Sequence, residues 1–256
     1  MCGRIHSLIP PDCRNWVDLF CGSAVVTLTK PRHQREVIND LNHDVVNLFD
    51  VLRGPLSHEL YRLVELTPYA EELLHRVYAM ASTEDAVEKA WRFLVTSWFG
   101  RGGCAHRTGF RWSKSQTTAP ERTWANMPAR LGAVAERLRG VCIRHDDAMK
   151  VVDDYDRPDS CLFADPPYPG QVGRRYAVRM DHDAHQRFAE RLGRCQARVI
   201  LTINPGTLYG DVLAGWTAHE VKVQGGGNNA KVEHILTNFE PLPLLAGAGM
   251  TTGERP

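Results

Sequence analysis

The residues of this chain best suited to chemistry stand together at Asp165-Pro166-Pro167-Tyr168, directly after the apolar run Ser160-Cys161-Leu162-Phe163-Ala164. A buried strand that ends this way presents a carboxylate, a fixed turn and an aromatic face. The carboxylate accepts hydrogen bonds from an amine. The prolines carry no N–H, so nearby backbone carbonyls meet no competing local donor. The tyrosine ring offers a flat surface. Together these parts suit a planar substrate whose exocyclic amine must be held and made more nucleophilic, as a nucleobase requires. A strand end followed by a proline-rich turn is the plainer alternative, and four residues alone leave it open.

The elements that would position this corner can be read from hydrophobic periodicity. Residues 15–20 read as a strand, followed by the turn Cys21-Gly22-Ser23 and an apolar segment from Ala24 to Thr29 that Lys30-Pro31 ends. Residues 36–40 read as a second strand. Asp44 to Arg53 reads as an amphipathic helix with Val45, Leu48, Phe49 and Leu52 on one face. The stretch 55–140 shows no convincing strand; its best helix covers 84–99, where Val87, Trp91, Leu94 and Trp98 recur at helical spacing and read as core. A last helix of this block covers about 128–139. Strands are expected again at 141–145, 160–165, 197–203, 217–223 and 232–238, with helices near 147–154, 182–193 and 206–214. Alternating strands and helices on both sides of a helical block predict one α/β doubly wound sheet, formed by 1–54 and 141–240, with an inserted helical subdomain at 55–140 and a tail at 241–256.

In such a sheet ligands sit at the carboxyl ends of the strands. The turn at Gly22 brings backbone close to a nucleotide, and Asp40, ending the second strand, is placed to accept both ribose hydroxyls. Asp40 is equally suited to beginning the Asn39-Asp40-Leu41-Asn42 turn. Asp147, at the next strand-to-helix junction, is suited to capping its helix, to accepting from an adenine amine, or to both. The stretch is not G-x-G-x-x-G, so a nucleoside cofactor such as S-adenosylmethionine fits better than a dinucleotide.

Composition narrows the class. The chain has 256 residues, 43% of them hydrophobic and 24% charged, with a formal net charge of +1, and it contains no apolar run of membrane-spanning length and no secretory leader pattern. Seven scattered cysteines without a C-x-x-C pair point to a reducing cytoplasm and away from structural zinc. No metal is expected; His33, His43, His182 and His185 read as surface or structural. Charge is uneven along the chain. Residues 101–122 carry Arg101, Arg107, Arg111, Lys114 and Arg122 against Glu121 alone, with Phe110 and Trp112 interleaved. That composition suits phosphate contact. A second basic stretch, with Arg174, Arg175, Tyr176 and Arg179, follows the corner closely enough to close over a base.

With these residues in place, the chain resembles the Dam-like (alpha-class) adenine-specific DNA methyltransferases. The resemblance rests on Asp18-Leu19-Phe20-Cys21-Gly22-Ser23-Ala24-Val25, on 36–52, on Asp147-Ala148, on Asp165 to Tyr168 and on 231–239. It implies a Rossmann-like methyltransferase sheet, S-adenosylmethionine around Phe20, Gly22, Asp40, Asp147 and Asp165, and a flipped adenine at Asp165, Pro166, Pro167 and Tyr168. It also implies double-stranded DNA gripped by the 55–140 insert and the loop after the corner, in a monomeric cytoplasmic enzyme. Two departures stand out. The turn has fewer glycines than the family's, with Ser23 and Ala24 in their place. The family's Trp-x-Gly-Gly-Lys type opening is not matched by Met1-Cys2-Gly3-Arg4, which reads as lying inside the helix that follows it, with Arg4 taking part of that role. An amino-methyltransferase acting on cytosine, RNA or a side-chain amide, and a relic that binds without turnover, are the rival readings.

Overall fold

The computed structural model describes residues 1–101, 107–114, 119–169, 177–224 and 230–241. Its centre is a seven-stranded sheet: β1 (Asn15–Asp18), β2 (Arg35–Asn39), β3 (Val141–Arg144), β4 (Ser160–Ala164), β5 (Arg198–Ile203), β6 (Thr217–Gln224) and β7 (Ala230–Thr237). The order is β3-β2-β1-β4-β5-β7-β6. The first five strands run parallel, and β7 is antiparallel to both neighbours. This is the Rossmann-like methyltransferase fold expected from the sequence. The order reverses at β1, whose neighbours are β2 on one side and β4 on the other, so the topological switch point lies at the β1/β4 seam.

Strand chemistry follows position. Every residue of β4 is buried, as a central parallel strand covered on both faces must be. Successive residues serve opposite faces: Val37, Leu162 and Val199 pack with α9 (Ala148–Tyr155) and α10 (His182–Leu192), while Cys161 and Ile200 pack with α1 (Cys2–Leu8). Ile38 joins a third cluster with α3 (His43–Arg53), α4 (Ser57–Glu65), α5 (Glu71–Ala79), α6 (Ala86–Phe99), α7 (Pro120–Ala125) and α8 (Met127–Arg137). The helical block 55–140 therefore continues the core of the sheet's β2 side. Within it Thr67 ties two rings: Trp91 Nε1 donates to its hydroxyl at 2.8 Å and Trp124 Nε1 to its carbonyl at 2.8 Å. Trp91 and Trp98 pack half-buried against this core, as their spacing suggested.

Helix starts carry side-chain caps where the sequence offers them. Asn42, Asp85, Asp147 and Asp181 each accept from a backbone N–H of the first turn, a contribution of about 1 kcal/mol each. Asp85 is thus the cap and α6 starts one residue later, which shortens the 84–99 helix read from sequence. The 15–20 strand is also shorter than expected. It stops at Asp18, because Cys21 turns away to bond the Asn39 carbonyl at the end of β2. The α2 segment (Val25–Thr29) is fixed from below by a buried cluster. Glu36 on β2 accepts from Lys30 and from Arg137 of α8, the latter at 2.6 Å to Oε2, and Arg137 also donates to the Thr27 carbonyl at 2.8 Å. Burial works against the Glu36 charge, but the Arg137 and Lys30 bonds win and hold its carboxyl down at about 2.

Candidate active site

At the switch point two loops part. Leu19 N–H still pairs with the Phe163 carbonyl at 2.9 Å. Beyond that bond the β1 loop leans on β2, with Cys21 N–H donating to the Asn39 carbonyl at 2.8 Å. The β4 corner leans the other way, with the Thr202 hydroxyl of β5 donating to Asp165 Oδ1 at 2.6 Å. In an open parallel sheet the ligand crevice lies at this point, here between the Gly22 turn and the Asp165-Pro166-Pro167-Tyr168 corner. Gly22, Ser23 and Asp165 are exposed along it.

The Gly22 turn needs unusual backbone. Gly22 has φ +48° and Ala24 has φ +52°, both left-handed. At Gly22 the absent side chain removes the penalty and leaves open space where a Cβ would stand. Ala24 bears the penalty with its methyl fully buried, which is how the shortage of glycines is accommodated here. Asp40 braces the turn: Oδ2 accepts from Gly22 N–H at 2.8 Å and Oδ1 from Asn42 N–H at 2.8 Å. Both readings of Asp40 therefore remain compatible, since each oxygen keeps a second lone pair. Asp147 caps α9 through Met149 N–H at 2.8 Å and is exposed. Phe20 is half-buried, its ring edge-on to Phe188 at 5.3 Å.

Asp165 is open to solvent yet closely surrounded by protein, as a residue on the floor of a crevice is. That crowding raises its pKa, against the bonds from Thr202 and Tyr168. Pro166 is buried, and Pro167 and Tyr168 are half-buried. Between the corner and β5 lies a crease lined by Tyr168, Pro166, Asn204, Thr207 and Tyr209, with no room for a water molecule.

Three residues that sequence reasoning passed over complete the site. Asp18, at the end of β1, is 1% exposed. Its Oδ2 accepts from the Thr27 hydroxyl at 2.7 Å, which in turn accepts from Trp16 Nε1 at 2.8 Å, while Oδ1 is buried without a hydrogen-bond partner. Burial pushes the Asp18 carboxyl up to about 7; the Thr27 hydroxyl opposes this, and the charges of Asp165 and Asp40 add to it. Burial raises Asp40 as well, against the N–H bonds from Asn42 and Gly22. Asn39 joins three strand ends, donating to the Leu19 and Asp146 carbonyls at 3.1 and 3.0 Å and accepting from Asp146 N–H at 3.0 Å. Thr202 is the third. No local signal marked Asp18, which the sequence places inside a 15–20 strand.

Among the described residues Asp18, Asp40 and Asp165 form no ion pair, and no cluster of three or more His, Cys, Asp or Glu is arranged to hold a metal ion. The described residues thus bring no ion-pairing cation to these three carboxylates.

The remaining expectations divide. Phe110 and Gly100 pair as an antiparallel bridge, and Arg101 Nε donates to the Phe110 carbonyl at 3.1 Å. Arg107 bonds the Tyr78 carbonyl and lies over the Tyr78 ring at 5.9 Å. Both arginines are exposed. Arg111, Trp112 and Lys114 are exposed, and neither cation forms an ion pair among the described residues. Arg174, Arg175 and Tyr176 lie outside the described residues. Arg4 is aimed at His219 of β6, 3.4 Å away, and not into the crevice. His185 is structural: it is buried, with Nδ1 2.7 Å from the Tyr209 hydroxyl. No helix among the described residues is long and apolar enough to cross a membrane.

Comparison with known proteins bears on the arrangement as a whole. No curated protein sequence matches the chain significantly. A family model described as D12 class N6 adenine-specific DNA methyltransferase matches residues 1–200, a span that includes the Gly22 turn, the helical block and the whole corner. With more than three-quarters of its length under that match, and a crevice where such an enzyme needs one, the chain belongs to the D12 class N6 adenine-specific DNA methyltransferases.

Proposed function

We propose that this enzyme methylates the exocyclic amine of an adenine turned out of a specific site in double-stranded DNA, using S-adenosylmethionine. The observation that supports the reading is the placement of Asp165 at the switch point near Asp18 and Asp40, three carboxylates that form no ion pair among the described residues. Phe20, Gly22, Asp40 and Asp147 would hold the cofactor, with Gly22 allowing close backbone approach and Asp40 accepting from ribose hydroxyls. When bound, the cofactor supplies an electrophilic methyl whose bond to sulfur breaks as the bond to nitrogen forms, leaving a neutral thioether.

The chain's own contribution is orientation and charge. Adenine's amine is a poor nucleophile because its lone pair is delocalised into the ring. Asp165 and the Pro166 carbonyl accept its two N–H groups and favour a more tetrahedral nitrogen as its positive charge develops. Interactions that strengthen as charge develops lower the barrier directly. Tyr168 stacks on the extruded base and offsets an unstacking cost of a few kcal/mol. Arg101, Arg107, Arg111 and Lys114, together with Arg174, Arg175 and Tyr176, contact DNA, and the block 55–140 serves as the recognition subdomain of the 1–54 and 141–240 core.

The test is Asp165→Ala with methylated nucleosides from treated DNA resolved by mass. The expected outcome is loss of N6-methyladenine by at least a thousandfold, with cofactor binding by calorimetry largely kept. Near wild-type methylation, or methyl groups on cytosine instead, would overturn the reading.

A further inference from the structure

The hydroxyl of Thr202 stands where the sheet has no structural need of one. Its strand, β5, reads Arg-Val-Ile-Leu-Thr-Ile, and Thr202 is 2% exposed between β4 and β7. A valine would fill the same space with a better β-strand side chain and no polar group to satisfy. What the hydroxyl does is reach the corner. Ala164 is in register with Leu201, which sets Thr202 beside Asp165, and Oγ1 donates to Asp165 Oδ1 at 2.6 Å. The Ala164 carbonyl, at 3.3 Å, is a weaker alternative acceptor for the same proton.

Among the described residues Asp165 has a second side-chain partner, Tyr168. Tyr168 lies in the turn beyond the strand end, outside the ladder of β4 with β5. Thr202 sits on a central strand. We propose that Thr202 is a positioning residue, fixing the Asp165 carboxylate in place for the incoming amine. This rests on the reading that Asp165 receives that amine. The groups bearing on Asp165 are then the Asp18 carboxylate of β1, the Tyr168 hydroxyl beside it and Thr202 itself.

Thr202→Val removes the donor at constant shape and Thr202→Ser restores it. A hydrogen bond to a charged group corresponds to about tenfold to a hundredfold in rate. The valine variant should lose that much kcat with KM for DNA and for S-adenosylmethionine nearly unchanged. The acid limb of its pH–rate profile should move to higher pH. The serine variant should recover both. A carbon-13 titration of the Asp165 carboxyl, assigned against Asp165→Asn, reads the same effect without turnover: its midpoint should rise in Thr202→Val. If the valine variant does not fold, Thr202→Ala is compared with serine in the same way. An unmoved midpoint, or wild-type kcat and profile in the valine variant while Asp165→Asn is inactive, overturns the role of Thr202. Activity in Asp165→Asn instead overturns the reading beneath it.

Discussion

Asp18 makes the sharpest quantitative prediction, because its surroundings set a sign and a size. In the folded protein its carboxyl titrates at about 7, against 3.8 for an ordinary aspartate. Below pH 3.8 both states carry the proton and the group costs nothing. Between 3.8 and 7 the unfolded chain releases its proton while the folded one keeps it, so stability falls as pH rises. Above 7 both are ionised and the loss is complete. At about 1.36 kcal/mol per pH unit the total is on the order of 4 kcal/mol. Asp18→Asn keeps the shape and an acceptor for the Thr27 hydroxyl but cannot ionise. Urea unfolding of both proteins at half-unit steps from pH 4 to 8.5 gives the difference directly. Asp40 and Asp165, which are raised too, and Glu36, held at about 2, are present in both proteins and largely drop out of the subtraction. The stability of the parent relative to the variant should fall by several kcal/mol across that range and level off above pH 7. Parallel curves, agreeing within about 1 kcal/mol at every pH, would refute the account of Asp18 as an uncompensated buried acid.

Two further perturbations separate the walls of the crevice from its surroundings. Gly22→Ala forces a side chain into left-handed backbone, at a cost of about 1–2 kcal/mol in stability, and points a methyl into open space where the cofactor is proposed to lie. Calorimetry should show S-adenosylmethionine binding weakened more than tenfold beyond any loss of folded protein; an unchanged Kd would mean the ligand does not approach this turn. The pair Arg111→Ala and Lys114→Ala should lower the slope of log K against log salt for duplex binding by about 0.9 for each phosphate contact removed. An unaltered slope would take both residues off the DNA.

How much the sequence revealed depended on how local each device is. The corner could be read because its carboxylate, prolines and ring are contiguous, and the strand before it is apolar throughout. The alternation of elements gave the doubly wound sheet for the same reason. Asp147 could be read as a cap from its place before a helix. Thr202 and Asp18 could not, because their roles depend on strand order. Thr202 meets a partner 37 residues away only because β4 and β5 are neighbours. Asp18 is unusual only because β1 is central and Thr27 lies over it. The overshoot of the first strand has a similar cause. Leu19 and Phe20 continue its apolar character, yet Phe20 packs on Phe188, and the chain direction is set by a bond to Asn39 that no local pattern signals.

The Glu36, Lys30 and Arg137 cluster also constrains how such enzymes diversify. Arg137 belongs to the last helix of the helical block, yet its guanidinium ends on a carboxylate of the sheet and on the helix that follows the Gly22 turn. A foreign block grafted between residues 55 and 136 inherits this rivet and with it a fixed attachment to the β2 side of the sheet. A graft extended past 137 without an arginine leaves Glu36 to Lys30 alone among its buried cations and takes away the block's hydrogen bond to the helix after the Gly22 turn.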